Sequence, residues 1–408
     1  MLRMRAMRSS SRFVPPTHRA RSFAKPPDAG AAAGLLAKLA GATCAFSPAP
    51  ADRPLALYGA GNLGRLARDF LMTVGHVFVM AIDCNARLIA RQPYWSGVPV
   101  FHPEEVTKTA KDELRVAVSI VTSPYVPVER SLLALGYLDI VPFYDLAESF
   151  RSSHPLSNGW FAPPLTAIEQ KNAAEVLAHW HDDISRAHHL QFLAWRRLRE
   201  EWQFAGAPIS MGNRFFIPEV AGVLDGNEFL LDAGAHHGSV TEAFVRQTRG
   251  AFQRIALIEP DPGNRQRLEE RLRSWLPDDE RVALYDHVLA EEEAEALFHD
   301  GLDYASQISP TGKRRVTTRT LDTLELWPTF VKLHLEGAEL AALKGARKTL
   351  VACRPIVAAT VYHNADGVWR TPLWLMQTLQ DYRFLFRCHG WCGTGAVVYA
   401  IPSERWTR

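Results

Sequence analysis

Several features that would sort a chain quickly are scarce here. There are five cysteines in 408 residues, Cys44, Cys84, Cys353, Cys388 and Cys392, scattered and odd in number. That argues against a disulfide framework and favours a reducing compartment. Only "CHGWC" brings two of them close, and nothing near it completes a tetrahedral set, so no metal is expected. No apolar run reaches the length of a membrane span, and the longest small-residue run, "AAAGLLAKLAGATCAF", is broken by Lys38. Excess charge is also lacking: 46 Lys and Arg against 44 Asp and Glu leave +2, which gives no pull towards nucleic acid or an anionic membrane. Acids are missing before Asp28, in a stretch rich in Arg and Ser. That composition suits an organellar transit peptide, a start codon set too far upstream, or a disordered leader. Low hydrophobicity with repeated charge favours the leader. With no export or membrane signal, the expected location is the cytoplasm.

What is present is a globular composition, 47% hydrophobic and 22% charged, in a chain too long for one ordinary core. Four segments are expected: a basic, disordered leader with a short helix over 1–50, a small α/β unit over 51–147, a linker and helical segment over 148–205, and a larger α/β unit over 206–408. In the first unit "PLALYGAG", "HVFVMAIDCN", "LRVAVSIVTS" and "IVPFYD" read as strands separated by helices, a doubly wound arrangement. The charges of "RRLREE", near residue 200, read as a solvated helix face.

Two glycine turns follow apolar strands. Gly59, Gly61 and Gly64 have the G-x-G-x-x-G spacing, with Asp83 about twenty residues on at the tip of the next strand. Such a turn can approach a phosphate closely, and the acid can hold a ribose hydroxyl. A nucleotide or nucleotide sugar is one expectation here, a purely structural turn the other. The second turn, "LLDAGAHHGSV", opens with Asp232 and runs through Gly234, Ala235 and Gly238. Asp232 could hold an ammonium group while the glycines let a sulfur-bearing chain lie against the backbone. Glu259, at the tip of the next strand, could accept from ribose hydroxyls, and His287 and Val288 could flank an adenine. Two acids so placed fit S-adenosylmethionine. In "TFVKLHLEGAEL" Lys332, His334 and Glu336 alternate with apolar residues, and three ionisable groups on one face of a central strand are costly unless they serve a ligand or pair together.

The blocks "DAGAHHG", "IEPDPGN", "LEGAELAALKGARKTL", "RPIVAATVYHNADGVW" and "AVVYAIP" resemble the FkbM-type methyltransferase family from about Phe216 to Pro402. The resemblance implies a class I methyltransferase sheet, Rossmann-like in type, ending in an antiparallel hairpin. It implies S-adenosylmethionine as methyl donor and a hydroxyl of a sugar or other small molecule as acceptor. The blocks "LYGAGNLGR", "AIDCN" and "SGVPVF" resemble the small Rossmann-like domain of some sugar-modifying acyltransferases. One departure stands out, His334 where the methyltransferase family usually has an aspartate, and for that reason no metal site is carried over. The expected roles are His334 as general base, Glu336 orienting it or binding substrate, Lys332 neutralising Glu336, and His363 as a competing base. Asp366 and Trp369 are expected near the acceptor. Two other readings stay open: an NAD-type oxidoreductase built on the first turn, and a non-catalytic cofactor-binding protein.

Overall fold

The computed structural model describes residues 17–156, 159–277 and 279–406. Residues 1–16 of the expected leader lie outside the described residues, and from His18 onward the expectation of disorder is corrected. His18 is buried, stacked on Phe46 at 4.1 Å with Nδ1 2.7 Å from Glu129 Oε1. Strand β1 (Arg19–Phe23) follows, then the helix Ala29–Gly41, capped by the Asp28 side chain and burying Ala32, Leu36 and Leu39. Those three positions lie on one helical face.

Strands β2 (Leu55–Tyr58), β3 (Phe78–Ile82), β4 (Val100–Phe101), β5 (Arg115–Val118) and β6 (Asp139–Pro142) form a sheet in the order β4-β3-β2-β5-β6. All its pairs are parallel, as the helical crossovers require. Ser, Pro and Gly after Glu148 then give way to two helices, Ala167–His179 and Asp183–Leu198, and strand β7 (Glu200–Phe204), which pairs in parallel with β1.

The solvated reading of this charged segment is also corrected, because Arg196, Arg197, Arg199 and Glu201 are all buried. Each has partners at a distance that sequence spacing cannot show. Arg199 pairs with Asp145 of the first unit at 2.9 Å and lies over the Phe161 ring. Glu201 accepts from the Tyr125 and Val126 amides at the start of the helix Tyr125–Ala134. Arg196 donates to the carbonyls of Gly159, Tyr362 and Gly393. The segment staples the first unit to the second.

The second unit begins with β8 (Phe229–Ala233), β9 (Arg254–Ile258) and β10 (Val282–Tyr285). A small sheet follows, made of β11 (Val288–Leu289), β12 (Glu295–His299), β13 (Gln307–Ile308) and β14 (Arg314–Arg319). Then come β15 (Phe330–Leu333), β16 (Ile356–Thr360), β17 (Tyr382–Cys388) and β18 (Ala396–Pro402). The main sheet runs β10-β9-β8-β15-β16-β18-β17, parallel from β10 to β16 and antiparallel at the β17/β18 hairpin. The chain reverses direction across the sheet between β8 and β15, and ligands of open α/β sheets bind at the strand ends of such a switch point. Strand β15 stops at Leu333, so the alternation read through Glu336 ends early: Glu336 has φ +50° and Gly337 φ +107°. No helix among the described residues is long and apolar enough to cross a membrane.

Two predictions follow from the staple. Arg199→Met strands the Asp145 carboxylate in the interior and should cost about 3–5 kcal/mol, read as a lower urea midpoint. Arg370→Met, which breaks an exposed pair with Asp366, should cost roughly 1 kcal/mol or less; equal losses would contradict the burial argument. The same helix holds His188 and His189, whose ring nitrogens accept from the Cys388 amide and the Trp180 indole. Burial pushes their pKa values down, to about 4 and about 3. The unfolded chain protonates them near pH 6.5 while the folded chain refuses the proton, so stability should be full above about pH 6.5 and fall as pH drops towards 4. Thermal melts across that window should show the decline, and His189→Gln should flatten it.

Candidate functional site

The register that places β15 beside β8 sets Lys332 opposite Asp232. Both are sealed from solvent, 1% and 0% exposed, with Nζ 2.7 Å from Oδ1. Lys332 also donates to the Gly234 carbonyl at 2.8 Å, and the Thr241 hydroxyl donates to the other Asp232 oxygen at 2.7 Å. Two expectations are corrected together. Lys332 does not neutralise Glu336, and Asp232 is not open to a ligand's ammonium group, because neighbouring strands bring the two into contact.

The turn after β8 passes against the end of β15. Gly234 has φ +73°, and a Cβ there would lie 2.0 Å from the His334 carbonyl oxygen. Only glycine fits so close an approach. Ala235 is buried in the wall of a wide cavity. Gly238 caps the helix Ser239–Gln247 with φ +77°, and a Cβ there would meet Leu268 at 2.7 Å. Gly238 thus packs closely between two helices. Glu259, at the tip of β9, accepts from the amides of His236 at 2.7 Å and Asp261 at 3.0 Å. Burial pushes its carboxyl above the usual range. It lines a narrow pocket together with Gly234, His287, Val288 and Leu335, so the three adenosine-side residues read from the sequence do come together.

The turn after β15 carries the densest ionisable cluster of the site. Glu339 accepts from the Leu335 and Gly337 amides, both at 3.0 Å, and from the Thr360 hydroxyl at 2.7 Å, which pins the turn. It also binds His363 Nδ1 at 2.9 Å. His363 Nε2 reaches Glu336 Oε1 at 3.2 Å, and His334 Nε2 reaches the same oxygen at 3.0 Å. Burial pushes His334 down to about 3 although Glu336 favours its charged form. For His363 burial works the same way, but Glu336 and Glu339 outweigh it and hold its pKa well above the ordinary value. Burial would raise Glu336, yet His363 and His334 hold it below the carboxylate range. The result is a neutral imidazole and an imidazolium around one carboxylate, an arrangement that separates base from charge. Donor atoms of His334, Glu336 and His363 lie within 4.8 Å of one another, as do those of His236, His237 and Asp303. Sequence reading expected no metal and did not foresee either set.

The wide cavity adjoins this cluster. Its walls include Arg214, Tyr362 and Trp160, and also Asn62, Leu63 and Leu66 from the helix that follows the first glycine turn. Trp160 stacks on Tyr144 at 3.7 Å. Trp369 packs into the core and Asp366 pairs with Arg370; neither lines the wide cavity, whereas Trp160 does. Arg214, Tyr362 and Trp160 were missed because their neighbours are remote in sequence.

At the first turn Gly59 has φ +96°, and a Cβ on Gly64 would lie 2.1 Å from the Gly59 carbonyl oxygen. Asp83 accepts from the Ala60 amide at 2.9 Å and the Asn85 amide at 2.7 Å, so it brackets its own turn. Gly61 caps the helix Asn62–Thr73 and has open space at its Cβ position.

Residues 232–386 match the family model of the methyltransferase FkbM domain. No curated protein is significantly similar in sequence. Among solved structures, methyltransferase FkbM of Methylobacillus flagellatus KT is similar over 93% of this chain and 94% of that one, at 20% identity and a TM-score of 0.59, which shows a shared fold. More remote are a precorrin-6y C5,15-methyltransferase of Geobacter metallireducens GS-15 (15% identity, 48% of this chain and 93% of that one, TM-score 0.30) and an SAH-bound methyltransferase of Podospora anserina (13% identity, 68% and 97%, TM-score 0.31).

The two glycine turns give different expectations for one added methyl. Gly234→Ala should destabilise the chain strongly, because the new Cβ meets the His334 carbonyl. Gly61→Ala, in open space at the cap of a helix, should cost only about 1 kcal/mol or less, the preference of an N-cap for glycine over alanine. Melting curves of both variants check the contrast.

Proposed function

Starting from a chain that carries a methyltransferase FkbM domain over residues 232–386, we propose that it transfers the methyl group of S-adenosylmethionine to a hydroxyl of a sugar or similar small acceptor. One observation carries this reading: the narrow pocket and the wide cavity share Gly234, His334 and Glu336 in their walls. A donor with its adenosine end in the first and an acceptor in the second would meet at the ionisable cluster.

The residues present suit the donor. Glu259 keeps unused lone pairs beyond its two amide bonds, and its buried oxygens can accept from ribose hydroxyls. Val288 and Leu335 offer apolar contact to an adenine, with His287 at the rim. Gly234 leaves the backbone bare where a thioether-sized chain would pass. Bound there, S-adenosylmethionine supplies an already activated methyl on a sulfonium. The protein's part is to align the acceptor, exclude water and take a proton. His334 donates Nε2–H to Glu336, which fixes its tautomer and leaves Nδ1, without a hydrogen-bond partner among the described residues, to accept the hydroxyl proton. Glu336 steadies the imidazolium so formed, and His363, held by Glu339, keeps Glu336 in place. The partly exposed Tyr144 ring, backed by Trp160, gives a sugar an apolar wall.

Because Asn62, Leu63 and Leu66 line the same cavity, a nucleotide-linked sugar reaching the first turn is the acceptor variant to examine next. The oxidoreductase reading draws less support, since the family match lies at residues 232–386, in the second unit.

Calorimetric titration with S-adenosylhomocysteine tests the proposal. Wild type should bind, and Glu259→Ala should bind at least tenfold more weakly. His334→Ala should bind like wild type yet fail to transfer labelled methyl to a panel of sugars and nucleotide sugars. No binding by wild type would sink the reading, full transfer by His334→Ala would remove the base, and binding without transfer by wild type across the panel would favour a non-catalytic protein.

A further inference from the structure

Of the cations on the wide cavity, one touches no carboxylate. Lys332 is paired with Asp232, and His363 with Glu336 and Glu339. Arg214 has no carboxylate partner among the described residues. Its Nη2 donates to the Tyr362 hydroxyl at 3.1 Å, and its Nε is buried with no hydrogen-bond partner. The guanidinium is held over the rings of Phe215 and Tyr362, at 4.9 and 5.5 Å from their centres. Ring faces orient a cation without neutralising it.

The backbone is shaped to hold it there. Phe215 is a buried, non-glycine residue at φ +71°, fixed by its amide donating to the Tyr399 hydroxyl at 3.1 Å. Lys332 Nζ lies 5.4 Å from the same Phe215 ring, and that ammonium holds the Gly234 carbonyl. The guanidinium and the second glycine turn are thus neighbours across one side chain. Ser239 and Val240, the first residues of a helix whose cap, Gly238, makes no side-chain hydrogen bond, line the same cavity. A partly desolvated guanidinium with free donors beside open helix amides favours a bidentate anion.

We infer that Arg214 is the carboxylate anchor of the methyl-donor site, taking the methionine end of the donor whose adenosine end lies at Glu259. The inference rests on the donor reading above and supplies what it lacks, since Asp232 is closed to the zwitterion.

Two ligands separate the possibilities. S-Adenosylhomocysteine has the amino-acid carboxylate; 5′-methylthioadenosine keeps the adenosine and thioether without it. Titrated into the full chain, Arg214→Gln should bind S-adenosylhomocysteine roughly 10- to 100-fold more weakly than wild type, the range for losing a charged hydrogen-bonded contact, and should bind 5′-methylthioadenosine unchanged. Arg214→Lys should fall between, keeping the charge without the planar fork. Unchanged S-adenosylhomocysteine affinity in Arg214→Gln would overturn the inference and point to an anionic acceptor as the partner of Arg214. Equal weakening of both ligands would also overturn it, making Arg214 a support for Phe215 and Tyr362. Failure of wild type to bind either ligand would bring down the donor reading itself.

Discussion

The buried contact between Lys332 and Asp232 constrains everything at the mouth of the second sheet. It joins the two strands that flank the switch point, in the layer where both side chains are sealed from water. Burying two charges is expensive, and such a pair returns the cost only when its remaining donors and acceptors are satisfied. Here they are, by the Gly234 carbonyl and the Thr241 hydroxyl. A one-residue slip between β8 and β15 would strand both charges, so the pair specifies register. Register in turn puts the Gly234 turn against the His334 carbonyl, and the close approach of those two backbones brings the narrow pocket and the ionisable cluster together.

The elements legible in the sequence were those encoded locally. Apolar strands followed by glycine turns announced both α/β units and the acid at the tip of β9 announced Glu259, whereas the β17/β18 hairpin was implied by the family resemblance. Partners were not legible. Alternation placed Lys332 on a face with Glu336, but the strand ends at Leu333 and the neighbour across the sheet is Asp232. The charges near residue 200 looked solvated because Asp145, Tyr125 and Gly393 are far away in sequence. Arg214 carried no periodic signal, since its place is set by a left-handed residue in a loop. Short-range pattern reports which face a residue occupies; long-range pairing decides what that residue does.

The first unit now has a part beyond its own core. Its glycine turn is bracketed by Asp83 and by the close approach of Gly64 to the Gly59 carbonyl, which starts the following helix tightly. That helix contributes Asn62, Leu63 and Leu66 to the wide cavity. The buried arginines of the helix Asp183–Leu198, tied to carbonyls and acids of both units, fix that wall relative to the second sheet. Because Arg196 bonds the Tyr362 carbonyl while Tyr362 contacts His334 through its hydroxyl at 3.2 Å, the staple and the cluster are mechanically continuous.

The histidine at position 334 makes sense in this setting. Glu336 and Glu339 already place two carboxylates against the single imidazole of His363, which holds a proton against the pull of burial. The aspartate implied there by the family resemblance would add a third buried carboxylate beside these two, with Lys332 already bound to Asp232. Like charges so close cannot all stay ionised, and one would take up a proton. A neutral imidazole avoids that conflict, keeps a basic nitrogen at the junction of the two cavities, and can carry positive charge once it has a proton to hold, with Glu336 beside it.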